Sequence, residues 1–115
     1  MAYKNNLLTG ITDLLVLSIL AKKDSYVYEI TKTISKNSNG MLSISHNTVY
    51  AATYKLEEAN MVSEYSKLVG KKRTRIYYHL EPNGRAHLEK ISEDYSKLIE
   101  GVKNILESLG GDAND

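Results

Sequence analysis

The chain has 115 residues, of which 42% are apolar, 25% are charged and none is cysteine. That length makes one compact domain with a single core the expectation, and the lack of cysteine excludes disulfides, thiolate metal sites and thiol nucleophiles. The net charge of +1 divides unevenly: residues 1–80 carry 11 Lys/Arg against 6 Asp/Glu (+5), and residues 81–115 carry 4 against 8 (−4).

A basic head with an acidic tail hints at a polyanion partner, although a chance spread of charge reads equally well on this count alone. Met1–Lys4 has no basic stretch leading into an apolar one, so no signal peptide is expected. The apolar residues from Leu7 to Leu20 cover more than one helical face, which predicts a first helix clasped on two sides. Its apolar run from Leu14 to Ala21 falls far short of the roughly 20 residues of a membrane span. A cytoplasmic protein with no membrane association is therefore expected.

Lys22-Lys23-Asp24 ends this helix, and Ser25 suits an N-cap for a second helix reaching about Lys36, with Val27, Ile30 and Ile34 inward. Asn37-Ser-Asn-Gly40 reads as a loop. Ser45 is the next N-cap candidate, opening a third helix to about Ala59 with Val49, Ala52 and Leu56 on its inner face. Asn60 stands where a helix end takes the left-handed conformation that Asn tolerates. The period then changes. Val62–Val69 and Thr74–Leu80 flank Gly70-Lys-Lys-Arg73, predicting a β-hairpin with a basic tip. Ile76, Tyr78 and Leu80 share one of its faces; Arg75, Tyr77 and His79 share the other. Glu81-Pro-Asn-Gly84 leads into a last helix, with Pro compatible with the first turn and Glu81 a poor cap. Along it Leu88, Ile91, Tyr95, Leu98, Val102, Ile105 and Leu109 follow steps of 3 and 4, a heptad seam widened by Ile99 and Leu106. Residues 110–115 read as a disordered polar tail.

The expected fold is mainly α (α+β). A winged helix-turn-helix head spans 1–80, with the hairpin as wing, and a dimerisation helix spans 81–109. In such a layout the third helix can enter a major groove while the hairpin reaches the adjacent backbone. Candidate contacts to double-stranded DNA are Ser45, His46, Asn47 and Thr48 at the helix start, then Tyr50, Tyr54 and Lys55. Lys71, Lys72, Arg73 and Arg75 on the wing are candidate phosphate contacts, with Lys4 as a weaker one. Each feature alone has a plainer reading as a solvated turn, a cap or half-buried packing; their joint occurrence favours a groove-reading surface.

The stretch Ser45-His-Asn-Thr-Val-Tyr-Ala-Ala-Thr-Tyr-Lys-Leu-Glu-Glu-Ala-Asn-Met-Val62 resembles the signature of PadR-like transcriptional regulators. Ser45, Thr48, Tyr50, Ala52, Leu56, Glu57 and Val62 fit it residue for residue. Ser25-Tyr-Val-Tyr-Glu-Ile30 and the run from Gly70 to Arg85 are similar to further family segments, so the likeness covers nearly the whole chain. His46-Asn47 stands where the family has Pro-Gly, Ala51 replaces Pro, Thr53 replaces Leu, and Glu81 replaces a capping Thr. The first of these changes fall where base contacts are expected, so an operator cannot be borrowed from relatives. The resemblance implies a homodimeric repressor with one C-terminal helix per subunit. The seam argues for a dimer independently, because a helix of about 40 Å outruns a small head and leaves its stripe wet.

Some relatives take flat aromatic ligands at the dimer interface through a tryptophan on the last helix. This chain has no Trp; Tyr95 on the seam is the position that could stand in for a small aromatic effector, with packing as its plainer role. No cofactor is expected. An enzyme is disfavoured, since His46, His79 and His87 lack metal-ligand spacing and no nucleophile elbow or phosphate loop occurs. A winged helix turned to a protein partner is the alternative function.

Overall fold

A computed structural model describes residues 10–112. The element order is α1 (Thr12–Lys22), α2 (Val27–Asn37), α3 (His46–Glu58), β1 (Val62–Leu68), β2 (Thr74–Leu80) and α4 (Pro82–Asp112). This is a mainly α winged helix with a β-hairpin wing. Leu7, Leu8 and the candidate contact Lys4 lie outside the described residues, and α1 begins after Gly10.

Each helix reaches the core through the face its spacing predicts. Val16, Leu17 and Leu20 of α1 meet Val27, Ile30 and Ile34 of α2 and Val49, Ala52 and Leu56 of α3 in one cluster. Leu15 and Ile19 are half-buried against it. Val62, Tyr78 and Leu80 close this core from the wing. Each fully buried aliphatic side chain contributes about 1.5–3 kcal/mol relative to exposure.

The ends of α3 follow from local chemistry. The Thr48 amide donates to Ser45 Oγ at 3.1 Å, satisfying a first-turn amide that has no partner within the helix. At the other end Asn60 adopts φ 59°, and the Met61 amide bonds the Leu56 carbonyl at 2.9 Å, a Schellman closure. α2 departs from expectation. Its N-cap is Tyr26, whose side chain makes no capping bond, and Ser25 is fully buried. Ser25 instead exchanges two backbone bonds with Tyr78: its amide donates to the Tyr78 carbonyl at 3.3 Å, and the Tyr78 amide donates back at 2.9 Å. The segment before α2 is thus a one-residue third strand beside the wing, and a strand-paired serine is not placed to cap.

β1 and β2 pair antiparallel from Val62↔Leu80 to Leu68↔Thr74. The strand stops one residue short of the expected Val69, whose amide donates to the Arg73 carbonyl at 2.8 Å across the loop. The alternation holds at the base, where Tyr78 and Leu80 are buried, and loosens outward, where Ile76 is 41% exposed.

α4 starts at a close approach. A Cβ on Gly84 would run into the Met61 carbonyl oxygen, so only glycine lets this helix lean on the α3–β1 turn. Glu81, a poor cap by composition, serves otherwise: its amide donates to Met61 and its carboxylate accepts from Ser63 Oγ at 2.5 Å. The helix continues through Gly110 to Asp112, three residues beyond its expected end at Leu109; residues 113–115 lie outside the described residues. Its 31 residues span about 46 Å. Leu88 and Ile91, counted with the seam by their spacing, are half-buried against their own head. From Tyr95 onward every large apolar side chain among the described residues is exposed, from 39% at Tyr95 to 63% at Leu106. The result is a head with a projecting stalk, 69 × 31 × 21 Å overall.

Candidate nucleic-acid interface

Ser45, His46, Asn47 and Thr48 are all exposed around the start of α3. Ser45 Oγ also lies 2.9 Å from Thr48 Oγ1, so these two hydroxyls brace each other while His46 and Asn47 face outward. The first turn carries no acidic residue, leaving the positive end of the helix dipole uncompensated toward an anion. Tyr50 and Tyr54 are 55% and 67% exposed, too open to be core packing. Lys55 is drawn aside: its Nζ pairs with Asp13 Oδ2 of α1 at 2.8 Å.

Thr53 is buried and donates to the Tyr50 carbonyl at 3.0 Å. Burial raises the Tyr78 phenol above its ordinary range, and a hydrogen bond with Thr53 partly offsets this. A leucine at 53 would leave that phenol without this partner.

Lys71, Lys72 and Arg73 are exposed at the wing tip, where Gly70 takes φ 141° to turn the loop. Arg75 is held differently. Its guanidinium lies 4.3 Å from the centre of the Tyr26 ring, a cation–π contact on the outward wing face. Tyr26 meets Tyr77 edge-on at 5.4 Å, Tyr77 stacks on Tyr65 at 5.7 Å, and Lys67 Nζ sits 5.2 Å from the Tyr77 ring. Beneath them Asp24 accepts from Tyr65 Oη at 2.7 Å and lies 2.8 Å from His79 Nδ1. Partial burial raises the Asp24 carboxyl, but the bonds from Tyr65 and His79 outweigh it and hold the group below the usual carboxylate range. The bond to Asp24 in turn raises the Tyr65 phenol, with burial adding to it.

Composition does not reveal this aromatic and charged cluster, because it joins residues 24–26 to both wing strands. It also links the two candidate surfaces. Tyr26 touches the wing, and two residues later Tyr28 meets the His46 ring edge-on at 5.6 Å, at the start of α3. A second feature was legible but missed. The outward face of α2 presents Tyr28, Lys32, Ser35 and Lys36, which with Thr31, Ser43, Ile44, Ser45 and His46 line an open depression of mixed polarity. Tyr28, Lys32, Ser35 and Lys36 lie away from Val27, Ile30 and Ile34 on the helical wheel, with Thr31 at the edge between the two faces, so the same periodicity that located the core could have located them. Among the described residues no helix is long and apolar enough to cross a membrane.

The chain is similar to known proteins over most of its length. Residues 16–90 match the model of the transcriptional regulator PadR-like family. A transcriptional regulator from Clostridium thermocellum superposes with a TM-score of 0.78 at 29% identity, over 90% of this chain and 96% of its own. A PadR family transcription regulator from Clostridium difficile does so at 0.74 and 28%, over 84% and 99%. A protein from Streptococcus mutans is 34% identical with a TM-score of 0.76, over 93% and 94%. An uncharacterised protein of Lysinibacillus sphaericus is 27% identical over 106 residues, 92% of this chain and 97% of that one.

Proposed function

The chain belongs to the PadR-like family of transcriptional regulators, and on that premise we propose that it acts in the cytoplasm as a homodimeric repressor on a near-palindromic operator. The observation that carries this is the joining of an exposed, polar start of α3 to a cationic wing through Tyr26 and Tyr28. His46 and Asn47 would read base edges, flanked by Tyr50 and Tyr54, while the hydroxyls of Ser45 and Thr48 shape the helix start. Lys71, Lys72 and Arg73 would neutralise phosphates beside the groove, as would Lys32 and Lys36 on α2. Arg75 and Lys55 would contribute less, since each already has a partner within the head.

The exposed stripe of Tyr95, Leu98, Ile99, Val102, Ile105, Leu106 and Leu109 supports dimerisation, because contiguous apolar surface of this extent is costly to leave in water. A second copy of the same helix, or α1 of a second copy, would cover it. Two heads related by a two-fold axis would then read two half-sites about one helical turn, or a multiple of it, apart. Tyr95 would pack within that seam, and is the position a small aromatic effector would use in place of a tryptophan.

Selection of bound duplexes from a random pool tests this reading. An inverted repeat is the expected product; a pool that fails to enrich removes it. Lys72→Ala and Arg73→Ala should weaken binding to every duplex and each flatten the salt dependence by about one unit, whereas Asn47→Ala should change the preferred sequence more than the affinity.

A further inference from the structure

The Asp24 side chain bonds both strands of the wing. Its Oδ2 accepts from Tyr65 on β1 and its Oδ1 meets His79 on β2, at 2.7 and 2.8 Å. The next two residues hold the same hairpin by different means: Ser25 through two backbone bonds to Tyr78, and Tyr26 through its ring against Tyr77 and Arg75. A two-stranded ribbon is marginally stable by itself, and beyond Tyr77 this one runs out from the core, with Leu68 and Ile76 exposed. Its direction therefore depends on how the base is gripped.

We infer that Asp24 is a positioning residue for duplex binding, setting the angle of the wing against α2 and α3 so that the tip cations reach phosphates. The inference rests on the DNA-binding reading above. The lever is long. From Tyr65 to the tip is about six residues, or about 20 Å of strand, so a tilt of about 10° moves the tip about 3 Å. That equals the whole length of a charge-assisted hydrogen bond. Asp24 suits this role better than a purely structural one, because its side chain is 33% exposed and the adjoining core contact is made by Ser25 and Tyr78, which are buried.

The sign of the effect separates positioning from general electrostatics. Removing a carboxylate makes the head more positive, which by charge alone would tighten binding to a polyanion. Loss of positioning predicts the opposite. The experiment measures binding of the full chain to a random-sequence duplex of about 30 base pairs across a salt series, in wild type, Asp24→Ala, Asp24→Asn and Tyr65→Phe. Expected are an affinity about ten-fold weaker in Asp24→Ala, with a shallower salt slope, and intermediate losses in the other two. The same change placed in a Lys71→Ala, Lys72→Ala, Arg73→Ala background should cost less than two-fold, because the tip no longer has charges to aim. Unchanged or tighter binding in Asp24→Ala overturns the inference, as does an equal ten-fold loss in the tip-neutral background, which would report damage to the whole head. Wild type failing to bind the duplex at all would remove the DNA-binding reading itself, a result distinct from either.

Discussion

The head and the stalk use the same aliphatic residue types to opposite ends. In the head Val16, Leu17, Ile30 and Val49 have no exposed surface, whereas in the stalk Leu98, Ile105, Leu106 and Leu109 keep at least 60% of theirs. Their charge differs too, with a surplus of base up to residue 80 and of acid after it. One chain thus carries a core completed by its own fold and a second apolar surface that its own fold leaves open. The surface ion pairs of the stalk, Lys90–Asp94 and Lys97–Glu93, are exposed i,i+4 contacts that contribute little, about 0.3–0.5 kcal/mol each. In the proposed dimer the stalk would be stabilised by packing against a second apolar surface, whereas the head is packed by its own core.

The comparison breaks hardest under a charge in the seam. If copies pair there, Val102→Asp places an uncompensated carboxylate in each half of a buried interface, at about 3–5 kcal/mol per copy. Sedimentation should then show a monomer with an unchanged head; a mutant sedimenting as wild type would leave the seam without its assigned role. Leu17→Ala is the counterpart in the head. It should cost about 2–5 kcal/mol of unfolding stability in monomer and dimer alike, read by denaturant titration. The junction between the regions comes next. Gly84→Ala drives a methyl into the Met61 carbonyl and should cost about 3 kcal/mol, whereas Gly101→Ala, where a Cβ meets nothing within 4 Å, should stabilise α4 by about 1 kcal/mol. Equal effects at the two glycines would mean that α4 does not lean on the α3–β1 turn. The smallest effect is one of pH. Asp24 titrates below its ordinary value in the folded head, so its contribution is present above pH about 4 and fades as the pH falls through the folded value. Asp24→Asn should flatten that acid dependence slightly, and screening at this partly exposed site keeps the change small.

Much of the molecule was legible from local chemistry. The Ser45 cap, the left-handed Asn60 and the buried faces of α2 and α3 each depend on residues within one or two turns, so spacing and residue type suffice. The alternation of the wing was legible for the same reason. Ser25 was misread because capping and strand pairing compete for it, and its strand partner, Tyr78, lies 53 positions away. Lys55 is similar: its place on α3 is local, but its pairing with Asp13 depends on how α1 crosses. Asp24 carries no local signal at all.

Residue order alone was enough to specify a three-helix head, a cationic hairpin and a heptad stripe, because helical and strand periodicities arise within a few residues. It could not divide that stripe. Leu88 and Ile91 have the same spacing as Val102 and Leu109, yet the first two rest on their own head and the others face solvent. Where the division falls depends on how far the head extends along α4, a matter of packing volume and of the close approach at Gly84. Only the assembled fold sets either one.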